Sequence, residues 1–230
     1  MNETPDNVWL VDKPLRWTSF DVVNKLRNQL KIKKIGHAGT LDPLATGLLI
    51  ICSGKFTKQI ENYQAMEKEY TGTFMLGQTT PSHDLETEVS AAVEVNHLTD
   101  EQLENCRKKF IGTISQIPPL HSAIKIDGKR AYKFARKGVE KTLTPREVNV
   151  YSFDWNVQLP EIKFKVTCTK GTYIRSLARD IGNELGVGAY LSSLCRTKIG
   201  EYKLEDALSP ENIIKTYKEQ IANPVFLKSE

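Results

Sequence analysis

The sequence predicts an α+β fold built on a mixed, mostly antiparallel sheet with flanking helices, and three observations support this class. Apolar and polar residues alternate strictly over Glu161–Cys168, a pattern typical of an antiparallel strand with one solvated face. Thr99 and Gln102 form a capping box ahead of a helix with an apolar face. Strand and helix patterns also succeed one another without the regular alternation of parallel βαβ units.

In the first part of the chain, residues 8–11 are predicted to form a strand, and Thr18 or Ser19 is predicted to cap a helix. The apolar residues of that helix keep helical spacing: Phe20, Val23, Leu26 and Leu30. Residues 31–47 hold three glycines and the Asp42-Pro43 pair, which indicates an ordered loop.

The elements expected after this loop are a buried strand over 48–52, a short helix over 57–65, a strand over 68–78 and a last helix over 210–221. The Asp127-Gly128 pair predicts a tight turn. Thr172 is predicted to cap a further helix, which ends just before Gly186.

Composition sets the outer bounds of the molecule. The 230 residues include 32 Lys+Arg and 28 Asp+Glu, a net charge of +4, and 40% are hydrophobic, which argues against disorder and coiled coil. The longest apolar run is far shorter than the roughly 20 residues of a membrane span. The four cysteines form no CxxC pair and are expected to be reduced and buried. The charge permits a nucleic-acid partner without requiring one.

Asp42 is the first candidate for chemistry. It lies in a glycine-rich polar run, residues 36–47, and the proline that follows restricts its backbone to extended conformations. A carboxylate held in one direction can act as a nucleophile or a general base. The alternative is an Asx-turn in which Asp42 only bonds nearby backbone N–H groups, and local pattern alone favours that alternative.

Residues 170–180 hold a second candidate, because Arg175 is expected near a helix start, where free N–H groups already favour anions. An arginine there can bind a carboxylate or phosphate through two hydrogen bonds. The alternatives are a surface arginine paired with Asp180, and a core aromatic role for Tyr173.

A third candidate is basic. Residues 129–137 hold five basic and two aromatic residues, and on a helix Arg130, Lys133, Phe134 and Lys137 would share one strip. Such a strip fits contacts with nucleic-acid phosphates, with Lys31, Lys33 and Lys34 as a second patch. An ordinary solvated helix face explains the pattern equally well.

Taken in order, these segments resemble the TruB family of tRNA pseudouridine-55 synthases. The matching segments are LVDKP (10–14), HAGTLDPLATG (37–47), KEY (68–70), LGQTT (76–80), IPP (117–119) and GTYIRSL (171–177). Each segment alone is weak evidence for the family, but the segments occur in order over roughly residues 8–208. This match favours a catalytic role for Asp42 over the Asx-turn.

The resemblance implies a pseudouridine synthase fold with a central RNA-binding cleft, and isomerisation of one uridine in the T arm of tRNA. Asp42 matches the family's catalytic aspartate, as nucleophile at C1′ or base at C2′ of the ribose. Tyr70 matches the tyrosine that stacks on the target base, and Arg175 matches the arginine that pairs with the aspartate. The uracil both leaves and re-enters without redox change, so no cofactor or metal is expected.

The resemblance also implies residues that bind the substrate. His37 matches the residue that enters the loop of the RNA and fills the vacated stack. The other positions matched to the pocket or its polar and basic surround are Tyr173, Leu194, Lys13, Lys58 and Asp84. The expected partner is tRNA, and the protein is expected to be a cytoplasmic monomer without an obligate protein partner or membrane contact.

Two departures from the family pattern stand out. Arg16 occupies a position where relatives commonly have glycine. We also expect a single catalytic domain over residues 1–230, with a core at about 8–208 and a C-terminal helix and tail at 209–230, and no C-terminal PUA domain. Two alternatives stay open: a non-catalytic tRNA-binding or folding protein on this scaffold, and an RNA hydrolase using Asp42 as general base.

Overall fold

The structure is a computed structural model that describes residues 6–122, 125–126, 129–131, 134, 139 and 143–222. The contacts within the chain define two compact units, one made of Met1–Glu69 with Cys195–Glu230 and the other of Tyr70–Leu194. Among the described residues, no helix has the length and apolar character that crossing a bilayer requires.

The secondary structure confirms the predicted α+β class. In chain order the elements are β1 (Val8–Lys13), α1 (Ser19–Leu30), β2 (Ile35–His37), β3 (Ala45–Ser53), a 3-10 helix (Gly54–Gln59), α2 (Ile60–Ala65), β4 (Lys68–Leu76), α3 (Asp100–Lys109), β5 (Gly112–Gln116), β6 (Lys125–Ile126), β7 (Lys129–Arg130), β8 (Arg146–Gln158), β9 (Glu161–Cys168), α4 (Ile174–Glu184), β10 (Ala189–Ile199), β11 (Tyr202–Lys203), a second 3-10 helix (Leu204–Asp206) and α5 (Pro210–Ala222).

Strand β3 is the centre of the first unit, where the strand order is β1-β3-β10. It pairs antiparallel with β1 and with β2. Leu49 and Ile51 pack with helices α1 and α5, while Leu48 and Ile50 belong to a separate apolar cluster. Because both faces are covered, the strand is apolar at successive positions rather than at alternate ones. This burial confirms the strand predicted from residues 48–52.

Helix α1 begins at a capping box in which Thr18 and Asp21 bond each other's backbone N–H groups. Its buried side holds Ser19, Val22, Val23 and Leu26. The prediction that Phe20 belongs to this side is wrong: its side chain is 56% exposed. The buried residues repeat at three- and four-residue steps from Ser19, which leaves Phe20 at the edge, where the Arg27 guanidinium lies 5.7 Å from its ring centroid.

In the second unit the strand order is β10-β4-β9-β8-β5. The alternation predicted for β9 is confirmed, since Ile162, Phe164, Val166 and Cys168 are buried. Phe164 stacks on Phe74 with the ring centroids 4.1 Å apart. Helices α3 and α4 supply further core residues, among them Leu103, Cys106, Leu177 and Ile181.

Helix α4 starts one residue later than predicted, and the side chain of its N-cap residue makes no hydrogen bond to the helix. Tyr173 is the N-cap and makes no cap hydrogen bond with its own side chain. Thr172 directs its hydroxyl to the carbonyl of Thr169, at 3.0 Å. The backbone of Tyr173 is bonded instead by Gln116, which is remote in sequence and therefore invisible to local pattern.

Arg16 takes a left-handed backbone conformation, with a φ of 67°. Its N–H donates to the carbonyl of Pro43 at 2.7 Å. Glycine adopts such a φ without steric cost, whereas another residue pays roughly 1–2 kcal/mol. Arg16 therefore adopts the backbone conformation that the glycine of relatives would favour. Its side chain is exposed.

The close approach of β3 to β10 at Gly47 generates a stability prediction. Gly47 has a φ of 100°, and a Cβ there would overlap the backbone of Arg196 and lie 2.9 Å from Cys195 Sγ. We expect Gly47→Ala to lower the free energy of unfolding by about 3 kcal/mol or more, from strain plus overlap. Gly112→Ala, at a φ of 88° in open space, controls for strain alone and should lose about 1–2 kcal/mol. Equal losses in urea unfolding would contradict the account.

Candidate active site

The loop that carries Asp42, residues 38–44, is tied down on both sides of the aspartate. Ser19 Oγ accepts the N–H of Leu41 at 2.8 Å and donates to its carbonyl at 3.2 Å. The carbonyl of Asp42 accepts the N–H of Ala45 at 3.0 Å and closes a turn with Pro43 in its second position. Asp42 itself is half-buried. The carboxylate is therefore presented from a backbone with little freedom.

Lys13 lies under this loop and is completely buried. Its ammonium donates to the carbonyls of Pro14 at 2.9 Å, Trp17 at 2.6 Å and Pro43 at 3.5 Å. Burial lowers its pKa to about 8, although the charge of Asp42 acts in the opposite direction. This placement gives Lys13 a part in holding the Asp42 loop, and its contact with substrate stays a prediction.

Arg196 is a second buried cation in the first unit, with 1% of its surface exposed. Its Nε donates to the carbonyl of Leu48 at 2.8 Å and its Nη2 to that of Gly39 at 3.3 Å. Arg196 is assigned no role from the sequence, because a single arginine in a partly polar strand carries no local signal that distinguishes burial from exposure.

His37 ends strand β2, one residue before the Asp42 loop, and is half-buried. Burial lowers the pKa of its imidazole, and the charge of Arg196 acts in the same direction, while a hydrogen bond with the Gly39 backbone opposes both. These shifts favour the neutral form of the imidazole. Lys58, in the first 3-10 helix, has an exposed side chain.

Arg175 occupies the first turn of α4, as predicted, but with only 3% of its side chain exposed. Its Nη2 donates to the carbonyl of His121 at 2.9 Å and its Nη1 to that of Ser82 at 3.3 Å. Its Nε lies 3.5 Å from Asp84 Oδ2. The structure thus brings Arg175 and Asp84 together, and the pairing of Arg175 with Asp42 stays a prediction.

Asp84 is held from both its backbone and its side chain. The hydroxyls of Thr80 and Ser82 donate to its carbonyl, at 2.6 and 3.1 Å. Its Oδ1 accepts the N–H of Glu86 at 2.9 Å. Both members of the Arg175–Asp84 pair are almost inaccessible, so the carboxylate depends on Arg175 and on the Glu86 N–H for the solvation it has lost.

His83, next to Asp84, has a left-handed φ of 63°. Burial lowers its pKa to about 4, and the charges of Arg179 and Arg175 act in the same direction. A neutral imidazole in this position adds no further positive charge beside the two arginines.

Three residues matched to the pocket are half-buried in the second unit. Tyr70 on β4 and Leu194 on β10 pack against its core cluster. Tyr173 precedes α4, and the Arg146 guanidinium lies 4.6 Å from its ring centroid.

The predicted basic helix is wrong at Arg130, which belongs to strand β7. Lys129–Arg130 pairs antiparallel with Lys125–Ile126, so strand pairing overrides the helical spacing there. Residues 127 and 128 lie outside the described residues, as do Lys133 and Lys137.

The described residues include no cluster of three or more His, Cys, Asp or Glu side chains arranged to hold a metal ion. All four cysteines are free thiols, as predicted, and three of them are buried, while Cys195 is half-buried. Burial raises the pKa of Cys52 to about 11 and that of Cys106 to about 12, which keeps both thiols protonated.

Comparison with known proteins gives consistent matches along the chain. A profile described as TruB family pseudouridylate synthase (N terminal domain) matches residues 27–174, and one described as tRNA pseudouridylate synthase B C-terminal domain matches residues 175–226. A protein of Phocaeicola vulgatus named tRNA pseudouridine synthase B is 53% identical over 219 residues, 92% of this chain and 93% of its own length. The protein of that name from Opitutus terrae is 46% identical over 209 residues, 90% of this chain and 87% of its own length.

Among solved structures, the crystal structure of a Cbf5-Nop10-Gar1 complex matches with a TM-score of 0.72 and 28% identity. The match covers 95% of this chain and 56% of the Cbf5-containing chain, so this protein spans little more than half of that neighbour. A structure of an H/ACA RNP bound to a substrate RNA containing 2'-deoxyuridine matches with a TM-score of 0.69 and 26% identity, covering 95% and 55% of the two chains.

The fold and the matches define an enzyme of the pseudouridylate synthase class, and the pseudouridine synthase fold predicted from the sequence is confirmed. More narrowly, the chain belongs to the TruB family of pseudouridylate synthases.

The lowered pKa of Lys13 generates a pH prediction. The folded protein binds fewer protons than the unfolded chain between pH 8 and 10.5, so this group raises stability as the pH rises through that window. The full effect corresponds to about 3 kcal/mol. Relative to Lys13→Met, the wild type should therefore gain stability between pH 8 and 10.5 in urea titrations. Parallel curves for the two proteins would show that Lys13 titrates normally.

The buried Arg175–Asp84 pair generates a coupling prediction. Asp84→Asn should lower the free energy of unfolding by about 3 kcal/mol, because it weakens the compensation of an almost inaccessible charge. Arg175→Met should lower the free energy of unfolding by less in the Asp84→Asn background than in the wild type. Additive losses in a urea double-mutant cycle would contradict an energetically significant pair.

Proposed function

We propose that this protein converts uridine to pseudouridine at position 55 in the T arm of tRNA. The observation that carries the proposal is the fixed presentation of Asp42, in a loop bonded by Ser19 and Lys13, in a member of the TruB family. Relatives named tRNA pseudouridine synthase B share about half of their residues with this chain over most of its length, which supports tRNA as the substrate.

The reaction breaks the N1–C1′ bond of the target uridine, turns the uracil and joins C5 to C1′. The proton on C5 is lost and N1 gains one, so the product is an isomer and no electrons are transferred. Asp42 acts on the ribose, either as the nucleophile at C1′ or as the base at C2′. Its ionised form serves both routes, and the nearby Lys13 charge favours that form. The chemistry therefore requires neither metal nor cofactor.

Tyr70 stacks on the target base in this proposal and is the candidate group for taking the C5 proton. Tyr173 and Leu194 line the pocket, and Arg175 supplies positive charge at the carboxylate. The base must leave its stack before the glycosidic bond can be attacked, at a cost of a few kcal/mol. The neutral ring of His37 fills the vacated position and recovers part of that stacking energy.

Basic side chains bind the RNA backbone in the same proposal. Those assigned to phosphate contacts are Lys58, Arg130, Lys133 and Lys137. One solved neighbour is described as bound to a substrate RNA, which supports RNA as the ligand class. The protein acts as a cytoplasmic monomer in this account.

The decisive experiment is nucleotide-resolved pseudouridine mapping of unmodified tRNA after incubation with the purified protein. The wild type should produce pseudouridine at position 55 of the T arm and release no free uracil. Asp42→Asn should bind tRNA with a Kd within about threefold of the wild type, yet react at least about 10³-fold more slowly, since an amide neither attacks C1′ nor accepts the C2′ proton. Asp206→Asn, at an exposed site on the second 3-10 helix, is the matched control and should react normally.

Three results would contradict the proposal. Binding of tRNA without any pseudouridine would indicate a non-catalytic RNA-binding protein. Release of free uracil or strand cleavage would indicate a hydrolase that uses Asp42 as its base. Normal turnover by Asp42→Asn would remove the catalytic assignment of this residue.

A further inference from the structure

Two residues that face each other across strands β5 and β8 both reach Tyr173. Gln116, the last residue of β5, is the register partner of Arg146, the first residue of β8. Both side chains contact the segment that leads into helix α4. We refer to Gln116 and Arg146 as the support pair.

Gln116 holds the backbone of Tyr173 at two points. Its Oε1 accepts the Tyr173 N–H at 2.7 Å, and its Nε2 donates to the Tyr173 carbonyl at 3.1 Å. Gln116 is completely buried, so water does not compete for either bond. Tyr173 is the N-cap of α4, so its N–H is the first of the four that have no partner within the helix, and a residue 57 positions away satisfies it.

Arg146 holds the side chain of the same tyrosine. Its guanidinium carbon lies 4.6 Å from the ring centroid, within the range of a cation–π contact. Its Nη2 also donates to the carbonyl of Gly171, which has a left-handed φ of 83° in the turn before the helix. One guanidinium therefore joins the turn to the ring and covers one face of that ring.

We propose that Gln116 and Arg146 are positioning residues for the isomerisation, acting through Tyr173. Gln116 sets the direction in which the backbone enters α4, and Arg146 selects the ring orientation, so that the remaining face of the ring is presented to the flipped uridine. Arg175 follows two residues later on the same backbone and shares this alignment. The inference rests on the proposed function, because it takes Tyr173 to line the uridine pocket.

Positioning differs from RNA binding in what it predicts for the kinetics. A misaligned pocket slows the chemical step and leaves tRNA affinity unchanged, since phosphate contacts elsewhere supply most of the affinity. An arginine that contacts a phosphate has the opposite effect, because its loss weakens binding and lowers the salt dependence.

The test of Arg146 is a double-mutant cycle with Tyr173, read as single-turnover pseudouridine formation and as the Kd for tRNA. Arg146→Met should slow the reaction about tenfold and change the Kd by less than about twofold. In a Tyr173→Phe background, which keeps the ring, the tenfold effect should persist. In a Tyr173→Leu background it should fall below about twofold, because the group that Arg146 positions is gone.

The test of Gln116 uses a conservative rescue. Gln116→Met removes both bonds to Tyr173, whereas Gln116→Glu keeps the acceptor for its N–H and loses the donor to its carbonyl, so it rescues only in part. We expect the wild type to react fastest, Gln116→Glu more slowly, and Gln116→Met about tenfold more slowly than the wild type. The Kd for tRNA should be the same for all three proteins.

Arg107→Met is the matched control, because Arg107 also bonds a backbone carbonyl, that of Phe153, and pairs with Glu104. It should lower stability without slowing the single-turnover rate of the folded enzyme. Equal slowing by Arg146→Met in the Tyr173→Leu background, or a weakened Kd with a reduced salt slope, would overturn the positioning role while the proposed function stands. A wild type that forms no pseudouridine would overturn both.

Discussion

Burial of three cationic side chains is the constraint on which the organisation of this protein depends. Lys13, Arg175 and Arg196 are each at most 3% exposed, and all three direct at least one hydrogen bond to a backbone carbonyl of a loop. A buried charge is costly unless its donors are satisfied, so each cation stabilises only the loop conformation that places the carbonyls correctly. In the Asp42 loop these bonds act together with apolar packing, since Ala38 and Leu41 are buried.

This arrangement suits the proposed reaction on RNA. In that proposal the Asp42 carboxylate has to remain ionised and aligned while RNA phosphates approach, and preorganised positive charge in a poorly solvated region serves both needs. Lys13 lies beside the Asp42 loop, and Arg196 bonds the backbone at Gly39 within the same loop. In the second unit Arg175 plays the corresponding part for the segment that holds Asp84. Loops that are already held in one conformation lose less conformational entropy when RNA binds.

Elements with strong local signals were predictable from the sequence. The capping boxes at Thr18 and Thr99, the apolar run of β3 and the alternation of β9 all encode their structures within a few residues. The prediction failed where a contact outside the helical pattern decides the outcome. Tyr173, not Thr172, is the N-cap of α4 and is bonded by Gln116 from 57 positions away, and Arg130 joins a strand through its pairing with Lys125.

The roles of the site residues divide in the same way. Asp42 and Arg175 stand in recognisable motifs, so the resemblance assigns each a role, and those roles stay predictions. Arg146 and Gln116 have no periodic or motif signal, because a single polar residue at a strand end looks the same whether it faces solvent or a helix terminus. The burial of Lys13 was equally hidden, since lysine is rarely found inside proteins.

Amide hydrogen exchange of the Asp42 loop in Lys13→Met tests the central claim most directly. The N–H groups of Leu41 and Ala45 donate within the loop, to Ser19 Oγ and to the Asp42 carbonyl, and they report its opening. If the buried cation orders the loop, both amides should exchange at least about tenfold faster in Lys13→Met, while the amides of β9 in the second unit keep their protection. Unchanged exchange at Leu41 and Ala45 would show that the loop is ordered without the buried charge.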